Sequence, residues 1–142
     1  MRTCTGGITV YKYVLLIVFG MLGAAARYVL SALFYTPSFP VITLLINLSG
    51  CFLLAIVVRF LINIRRLPPS FVSALGTGFI GSFTTFSTFS LETVELIRRN
   101  LFLAFIYAGA SLFGGLGAAA LGYLTARHLL IRLKGRWSHD HE

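Results

Sequence analysis

Four apolar stretches, each long enough to cross a bilayer as a helix, constrain this chain more than any other feature. They cover residues 14–35, 41–62, 71–97 and 101–126 of a 142-residue chain, so no room remains for a soluble domain. Only 11% of the residues are charged, whereas about 25% is usual in soluble proteins. The sequence therefore predicts a single all-α membrane domain of four transmembrane helices, with a basic polar tail over residues 127–142.

Basic residues stand almost entirely at the ends of these stretches. The net charge is +8, but this arrangement indicates membrane orientation rather than nucleic-acid binding, because Lys and Arg accumulate on the cytoplasmic side. Four successive crossings leave two basic residues, Arg98 and Arg99, on one side and nine on the other. The nine are Arg2, Lys12, Arg59, Arg65, Arg66, Arg127, Arg132, Lys134 and Arg136. We therefore expect both termini in the cytoplasm.

The third stretch contains a segment that ordinary membrane packing does not explain. Residues 76–90 read GTGFIGSFTTFSTFS, with three glycines, seven Ser or Thr hydroxyls and four phenylalanines. Glycine costs about 1 kcal/mol in a helix interior relative to alanine, so this helix is expected to loosen or break. Backbone freed at membrane depth must be satisfied by protein or by a water-filled cavity, and interrupted helices therefore point to ion or substrate sites.

Further polar side chains fall within the apolar stretches, and several have both a structural and a functional interpretation. Arg27 either serves a site or snorkels to an interface. Asn47 either joins helices or faces a hydrated path. Glu92 lies near the glycine-rich segment and could line an aqueous vestibule, whereas Glu95, just before Arg98 and Arg99, is expected to take part in charge pairing at the helix end. Tyr107 and Ser111 are four residues apart on one helix face, and their hydroxyls need partners.

These residues do not form an enzymatic constellation. The acids are Glu92, Glu95, Asp140 and Glu142, and all three histidines stand at or beyond His128. Cys4 and Cys51 show no metal-ligand spacing. The remaining polar groups are mostly neutral donors, which suit an anion that must bind weakly enough to move on. A phenylalanine ring carries a positive edge, so Phe86 or Phe89 can also meet an anion.

Several motifs resemble those of the Fluc/CrcB family of fluoride channels. They are GFIGSFTTFSTFSLET in the third stretch, INLSG in the second, GAAARY in the first and YAGAS in the fourth. The resemblance covers all four stretches. It implies an antiparallel dimer with two fluoride pathways, passive export of fluoride, and one structural sodium ion that is not transported and lies at the dimer centre.

The same resemblance assigns roles to individual residues. The backbone carbonyls of Gly81 and Thr84, from both subunits, would bind the sodium ion. Phe86 and Phe89 would form an aromatic box facing fluoride, and Asn47 would be a donor to the pore. The resemblance places a row of further polar groups along the path, namely Ser87, Thr88, Tyr107 and Ser111, with Glu92 at its mouth.

Two departures from the family pattern qualify this assignment. Some relatives continue the polar row with a serine one turn after Ser111, where this chain has Gly115. Members that insert in both orientations have nearly balanced basic residues, whereas nine against two predicts one orientation here. The chain therefore forms either a homodimer or a heterodimer with an oppositely oriented paralogue.

Two other classes of membrane protein fit the sequence less well. A small four-span multidrug/proton antiporter has a similar size but requires a carboxylate within its first span, and the first stretch here contains no acid. A non-transporting membrane subunit accounts for the small residues but gives no reason for the Ser, Thr and Phe of residues 76–90. The channel remains the preferred interpretation.

Overall fold

The structure is a computed structural model that describes residues 5–34, 39–63 and 67–139. Arg2, Cys4, Arg65, Arg66, Asp140 and Glu142 therefore lie outside the described residues. Its helices are α1 (Thr5–Leu33), α2 (Val41–Arg59), α3 (Pro69–Ser73), α4 (Gly81–Phe83), α5 (Phe86–Arg99) and α6 (Leu101–His139). A short 3-10 turn, Leu61–Asn63, follows α2, and a π-helical segment, Ala74–Ile80, joins α3 to α4.

Three helices of the described chain are long and apolar enough to cross a membrane. The qualifying segments are Val10–Leu33 in α1, Val41–Arg59 in α2 and Leu101–Arg132 in α6. The prediction of an all-α membrane protein is confirmed at this level. Helix α6 continues to His139, so the residues assigned from the sequence to a polar tail after residue 126 extend the same helix as far as they are described.

The third apolar stretch is divided rather than continuous. It starts at Pro69, where proline occupies a first-turn position that needs no N–H donor. The chain then passes through the π-helical segment and α4, becomes extended at Thr84 and Thr85, and resumes as α5. The predicted interruption is therefore present, and its non-helical residues are two threonines rather than the glycines before them.

Helices α2 and α6 pack side by side and run in the same direction. Leu44 packs in the cluster around Tyr107, Gly114 faces Leu48 further along, and the Arg59 guanidinium lies 5.3 Å from the ring centroid of Tyr123. Residues later in α2 thus contact residues later in α6. Because α2 and α6 are parallel, the divided segment between them returns the chain from the Arg59 end to the opposite end.

The backbone of helix α1 lies in close contact with the backbone of the π-helical segment. A Cβ atom on Gly23 would overlap the carbonyl oxygen of Phe79, and one on Gly78 would lie 2.9 Å from the Leu16 carbonyl oxygen. None of the described glycines has a positive φ angle. The glycines near the break therefore permit close helix packing, which is their common use in membranes, rather than a left-handed turn.

Gly23→Ala tests this packing. We expect the free energy of unfolding to fall by about 1–3 kcal/mol, because the new methyl group must displace a backbone oxygen. Thermal unfolding of the detergent-solubilised protein measures the change. Gly117→Ala is the matched control, since a Cβ there meets nothing within 4 Å, and equal stability of the two variants would contradict the predicted contact.

Candidate functional site

The helix break has a defined hydrogen-bonded conformation. Thr84 has φ −76° and ψ 155°, and Thr85 has φ −144° and ψ 122°. Thr85 is the N-cap of α5, where its hydroxyl oxygen accepts from the Thr88 N–H at 3.2 Å. Such a cap satisfies one of the free N–H groups at a helix start. The Thr88 N–H therefore has a partner where helix α5 begins.

Asn47, which lies on the neighbouring helix α2, stabilises the break through its side-chain amide. Its Nδ2 donates to the Thr85 carbonyl oxygen at 3.0 Å, and its Oδ1 accepts from the Thr85 N–H at 2.9 Å. One side-chain amide thereby satisfies both backbone groups of an extended residue, as a neighbouring strand would do. The structure places Asn47 at the break itself.

Gly50, one turn after Asn47, allows this approach. A Cβ atom on Gly50 would overlap Cγ2 of Thr84. The missing side chain therefore leaves room for the extended threonine against α2, and the INLSG motif supplies both the amide that binds the break and the space that the break occupies.

The carbonyls of Gly81 and Thr84 lose the donors that a continuous helix would offer them. In an α-helix the carbonyl of residue i accepts from the N–H of residue i+4. The Thr85 N–H, which would serve Gly81, donates to Asn47 instead. The Thr88 N–H, which would serve Thr84, donates to the Thr85 hydroxyl. Two carbonyl oxygens close together in sequence are thus released from helical bonding.

A cavity of about 460 Å³ lies between α2, the break and α6. Its polar lining is uncharged and consists of one amide, three hydroxyls and one thiol, together with glycines, aliphatic side chains and two phenylalanines. The lining residues are Asn47, Gly50, Cys51, Leu54, Gly76, Ile80, Gly81, Thr84, Thr85, Phe86, Phe89, Ala108, Ser111 and Leu112.

The two phenylalanines of the TTFSTF motif lie next to each other at this cavity. Their ring centroids are 5.9 Å apart, and the Phe89 ring is 5.2 Å from that of Tyr107. Phe86 is 80% exposed, whereas Tyr107 is fully buried. The aromatic row therefore runs from an exposed ring beside the cavity to a buried tyrosine behind it.

Behind this row, Glu92 connects three helices. One carboxylate oxygen accepts from the Thr43 hydroxyl of α2 at 2.8 Å, and the other accepts from the Tyr107 hydroxyl of α6 at 2.8 Å. Thr43 is 3% exposed. Glu92 is not among the residues that line the cavity, and its observed partners are these two neutral hydroxyls.

The remaining residues named from the sequence occupy different positions. Ser87 and Thr88 lie outside the cavity lining, and their hydroxyl oxygens stand 3.3 and 3.0 Å from the Thr85 hydroxyl oxygen. Ser111 lines the cavity. Its buried hydroxyl oxygen and the buried Nε of Arg27 have no hydrogen-bond partner within the described part of the chain. A side chain at Gly115 would stand 3.6 Å from the Cys51 sulfur.

Sequence reasoning missed three participants in this site: Thr43, Thr85 and Cys51. Helical spacing offered a signal for two of them, because Thr43, Asn47 and Cys51 recur at intervals of four along α2. Thr85 gave no comparable signal, since its role depends on an extended backbone that only the packed structure shows.

Comparison with known proteins identifies close relatives of this chain. The sequence model of the family described as "CrcB-like protein, Camphor Resistance (CrcB)" matches residues 14–123. A Bacillus cereus protein named "Fluoride-specific ion channel FluC 1" is 46% identical over 122 residues, which cover 83% of this chain and 89% of that protein. A Listeria monocytogenes protein named "Fluoride-specific ion channel FluC 2" is 43% identical over 116 residues, covering 81% and 90%. The family expected from the motifs is therefore confirmed.

Tyr107→Phe tests the bonding of Glu92. Loss of the tyrosine hydroxyl leaves one carboxylate oxygen without its donor inside the protein, so we expect the free energy of unfolding to fall by about 1–3 kcal/mol. Thermal unfolding in detergent measures this change. Thr43→Val removes the other donor, and the two effects should be non-additive because both hydroxyls share one carboxylate.

Tyr28→Phe is the control for this series. Tyr28 is 75% exposed, and loss of its hydroxyl should change stability by no more than about 0.5 kcal/mol. If Tyr107→Phe matched Tyr28→Phe, or if the Thr43 and Tyr107 effects simply added, the three-residue network would be contradicted.

Proposed function

This chain belongs to the CrcB family, and we propose that it is a fluoride-specific ion channel that lowers cytoplasmic fluoride by passive export. It is not an enzyme. The observation that carries this proposal is the cavity beside the helix break, whose polar lining is entirely neutral. The names of the relatives, which describe fluoride-specific ion channels, support the identity of the ion.

A neutral lining suits a small anion that must pass through. A channel must offer enough binding to replace water and little enough to release the ion. The Asn47 amide and the Ser111 hydroxyl supply donors without a fixed charge, and the positive edges of Phe86 and Phe89 add weak attraction. Beyond the cavity, the row continues through Tyr107 toward Glu92, with Ser87 and Thr88 beside the break.

Passive flow accounts for export without a coupled energy source. Fluoride that enters the cell as its weak acid is an anion at neutral pH, and an inside-negative potential drives it outward. That potential contributes about 2.3 kcal/mol per charge for each 100 mV. An antiporter is disfavoured because residues 14–35 contain no acid to carry protons, and a non-transporting subunit has no use for the lined cavity.

A structural sodium ion held by Gly81 and Thr84 forms part of the proposal. Sodium is a hard cation, and rings of backbone carbonyl oxygens are established ligands for such ions in channels. Both carbonyls have lost their helical donors to side chains at the break. Unsatisfied carbonyls at membrane depth cost several kcal/mol each, and a bound cation offsets that cost.

The assembly proposed is an antiparallel dimer in which the chain crosses the membrane four times. Four crossings are supported by the parallel packing of α2 and α6, because the divided segment must return between them. A ring as exposed as Phe86, at the cavity edge, supports a facing subunit. The partner is either a second copy or an oppositely oriented paralogue.

Both termini are proposed to be cytoplasmic. Arg59 meets Tyr123, four residues before Arg127, so two of the basic positions counted on the N-terminal side lie at one end of the bundle. Arg98 and Arg99 occupy the last turn of α5, directly before α6 starts at the other end.

Fluoride efflux from liposomes containing the purified protein tests the function. We expect rapid fluoride release, followed with a fluoride electrode, and no chloride release under the same conditions. Replacing sodium with a larger cation should make this activity decay, since carbonyl ligands for the small ion would lose their occupant. Absence of fluoride-selective release would contradict the proposal.

Two substitutions locate the pathway within the protein. Phe86→Ile removes an aromatic edge at the cavity, and Asn47→Asp places a negative charge beside the anion, so each should slow efflux by about tenfold or more. Phe113→Ile is the matched control, because Phe113 is 72% exposed and lies outside the cavity lining. Equal efflux from all three variants would exclude the cavity as the pathway.

Tags on both termini test the orientation in cells. The imbalance of basic residues predicts that impermeant reagents reach neither terminus from outside and both after permeabilisation. Equal labelling from both faces of the membrane would exclude a fixed orientation and favour a homodimer.

A further inference from the structure

Asn47 belongs to two parts of the site at once. Its side chain lines the cavity, and the same side chain makes both hydrogen bonds that hold the Thr85 backbone. The proposed anion pathway and the helix break therefore meet at a single amide group.

The bond between Asn47 and the Thr85 N–H decides the state of the Gly81 carbonyl. Without this acceptor, the Thr85 N–H is the group that would donate to Gly81 in a continuous helix. With Asn47 in place, that donor is engaged at 2.9 Å. The Gly81 oxygen is available to a cation only while Asn47 competes successfully for the Thr85 N–H.

The Nδ2 atom of Asn47 retains a hydrogen that is free to donate. The side-chain nitrogen of asparagine carries two hydrogens, and one of them is directed to the Thr85 carbonyl oxygen. Within the described residues, no acceptor engages the second hydrogen. An anion in the cavity would accept it and increase the negative charge on Oδ1, because hydrogen bonds in series polarise one another.

We infer that Asn47 couples the anion pathway to the cation site, so that fluoride at the amide strengthens cation binding at the break. The inference rests on the proposed function. An anion on Nδ2 strengthens the bond from the Thr85 N–H to Oδ1, which keeps the Gly81 carbonyl free. Coupling between two sites is reciprocal, so the cation also favours the anion. Asn47 is in this sense a positioning residue for the cation site.

Sodium-dependent thermal unfolding of the full-length wild-type protein, purified in detergent without sodium, tests the coupling. Sodium should raise the melting temperature, because a ligand of the folded state stabilises it by RT ln(1 + [Na+]/Kd). The sodium concentration equal to the fitted Kd, termed the sodium midpoint, is the quantity compared. Adding fluoride should lower that concentration about fivefold or more, within the usual range for coupled sites. No response to sodium, or an unchanged midpoint with fluoride, would overturn the inference.

Asn47→Ala separates coupling from simple stabilisation. Loss of the amide leaves the Thr85 N–H free to donate to the Gly81 carbonyl. The sodium midpoint should therefore rise about tenfold, which is the effect of about one hydrogen bond. Fluoride should no longer shift the midpoint. A general loss of stability lowers the melting temperature at every sodium concentration but leaves the midpoint in place. A wild-type midpoint in this variant would overturn the inference.

Ser111→Ala is the matched control. Ser111 lines the same cavity but makes no hydrogen bond to the break, so its loss should slow fluoride efflux while leaving the sodium midpoint unchanged. A shifted midpoint in this control would overturn the specific role of Asn47. Efflux from wild-type liposomes reports separately on the channel function, so a failed coupling and a failed function give different results.

Discussion

The paired hydrogen bonds between Asn47 and Thr85 are the interaction on which the remainder of the site depends. A chain within a bilayer has no water to satisfy exposed peptide groups, so a break in a helix requires an internal partner. The Asn47 amide supplies both an acceptor and a donor at 2.9 and 3.0 Å. Because these bonds satisfy Thr85, the chain can leave the helix at Thr84 and re-enter it at Phe86 without an unsatisfied peptide at Thr85.

This interaction lies between two groups of polar atoms, one that suits a cation and one that suits an anion. On one side, carbonyl oxygens released from helical bonding present negative dipoles that suit a cation. On the other, an amide, hydroxyls and phenylalanine edges present positive dipoles that suit an anion. Glu92, held by Thr43 and Tyr107, joins α2, α5 and α6 behind the aromatic row. A continuous helix offers neither set of groups, because its backbone dipoles bond to one another.

Much of this site was predictable because its motifs are local in sequence. The position of the break, the adjacent phenylalanines and the importance of Asn47 all follow from residues 76–90 and the INLSG motif. The hydrogen-bond partners of these residues were harder to predict. Asn47 was interpreted as a donor to the pore, and the structure adds its bonds to the Thr85 backbone. Glu92 was placed at the mouth of the path, and its observed partners are hydroxyls on two other helices.

The sequence by itself determined that this is an all-α membrane protein with an interrupted third apolar stretch, because hydrophobic length and glycine content act locally along the chain. It also determined the family, since the TTFSTF and INLSG motifs are short and specific. Only the tertiary structure decided which groups are free and which are engaged. Hydrogen-bond partners of Thr43, Asn47 and Tyr107 lie 49, 38 and 15 residues away in the chain, and such pairings arise only when helices pack.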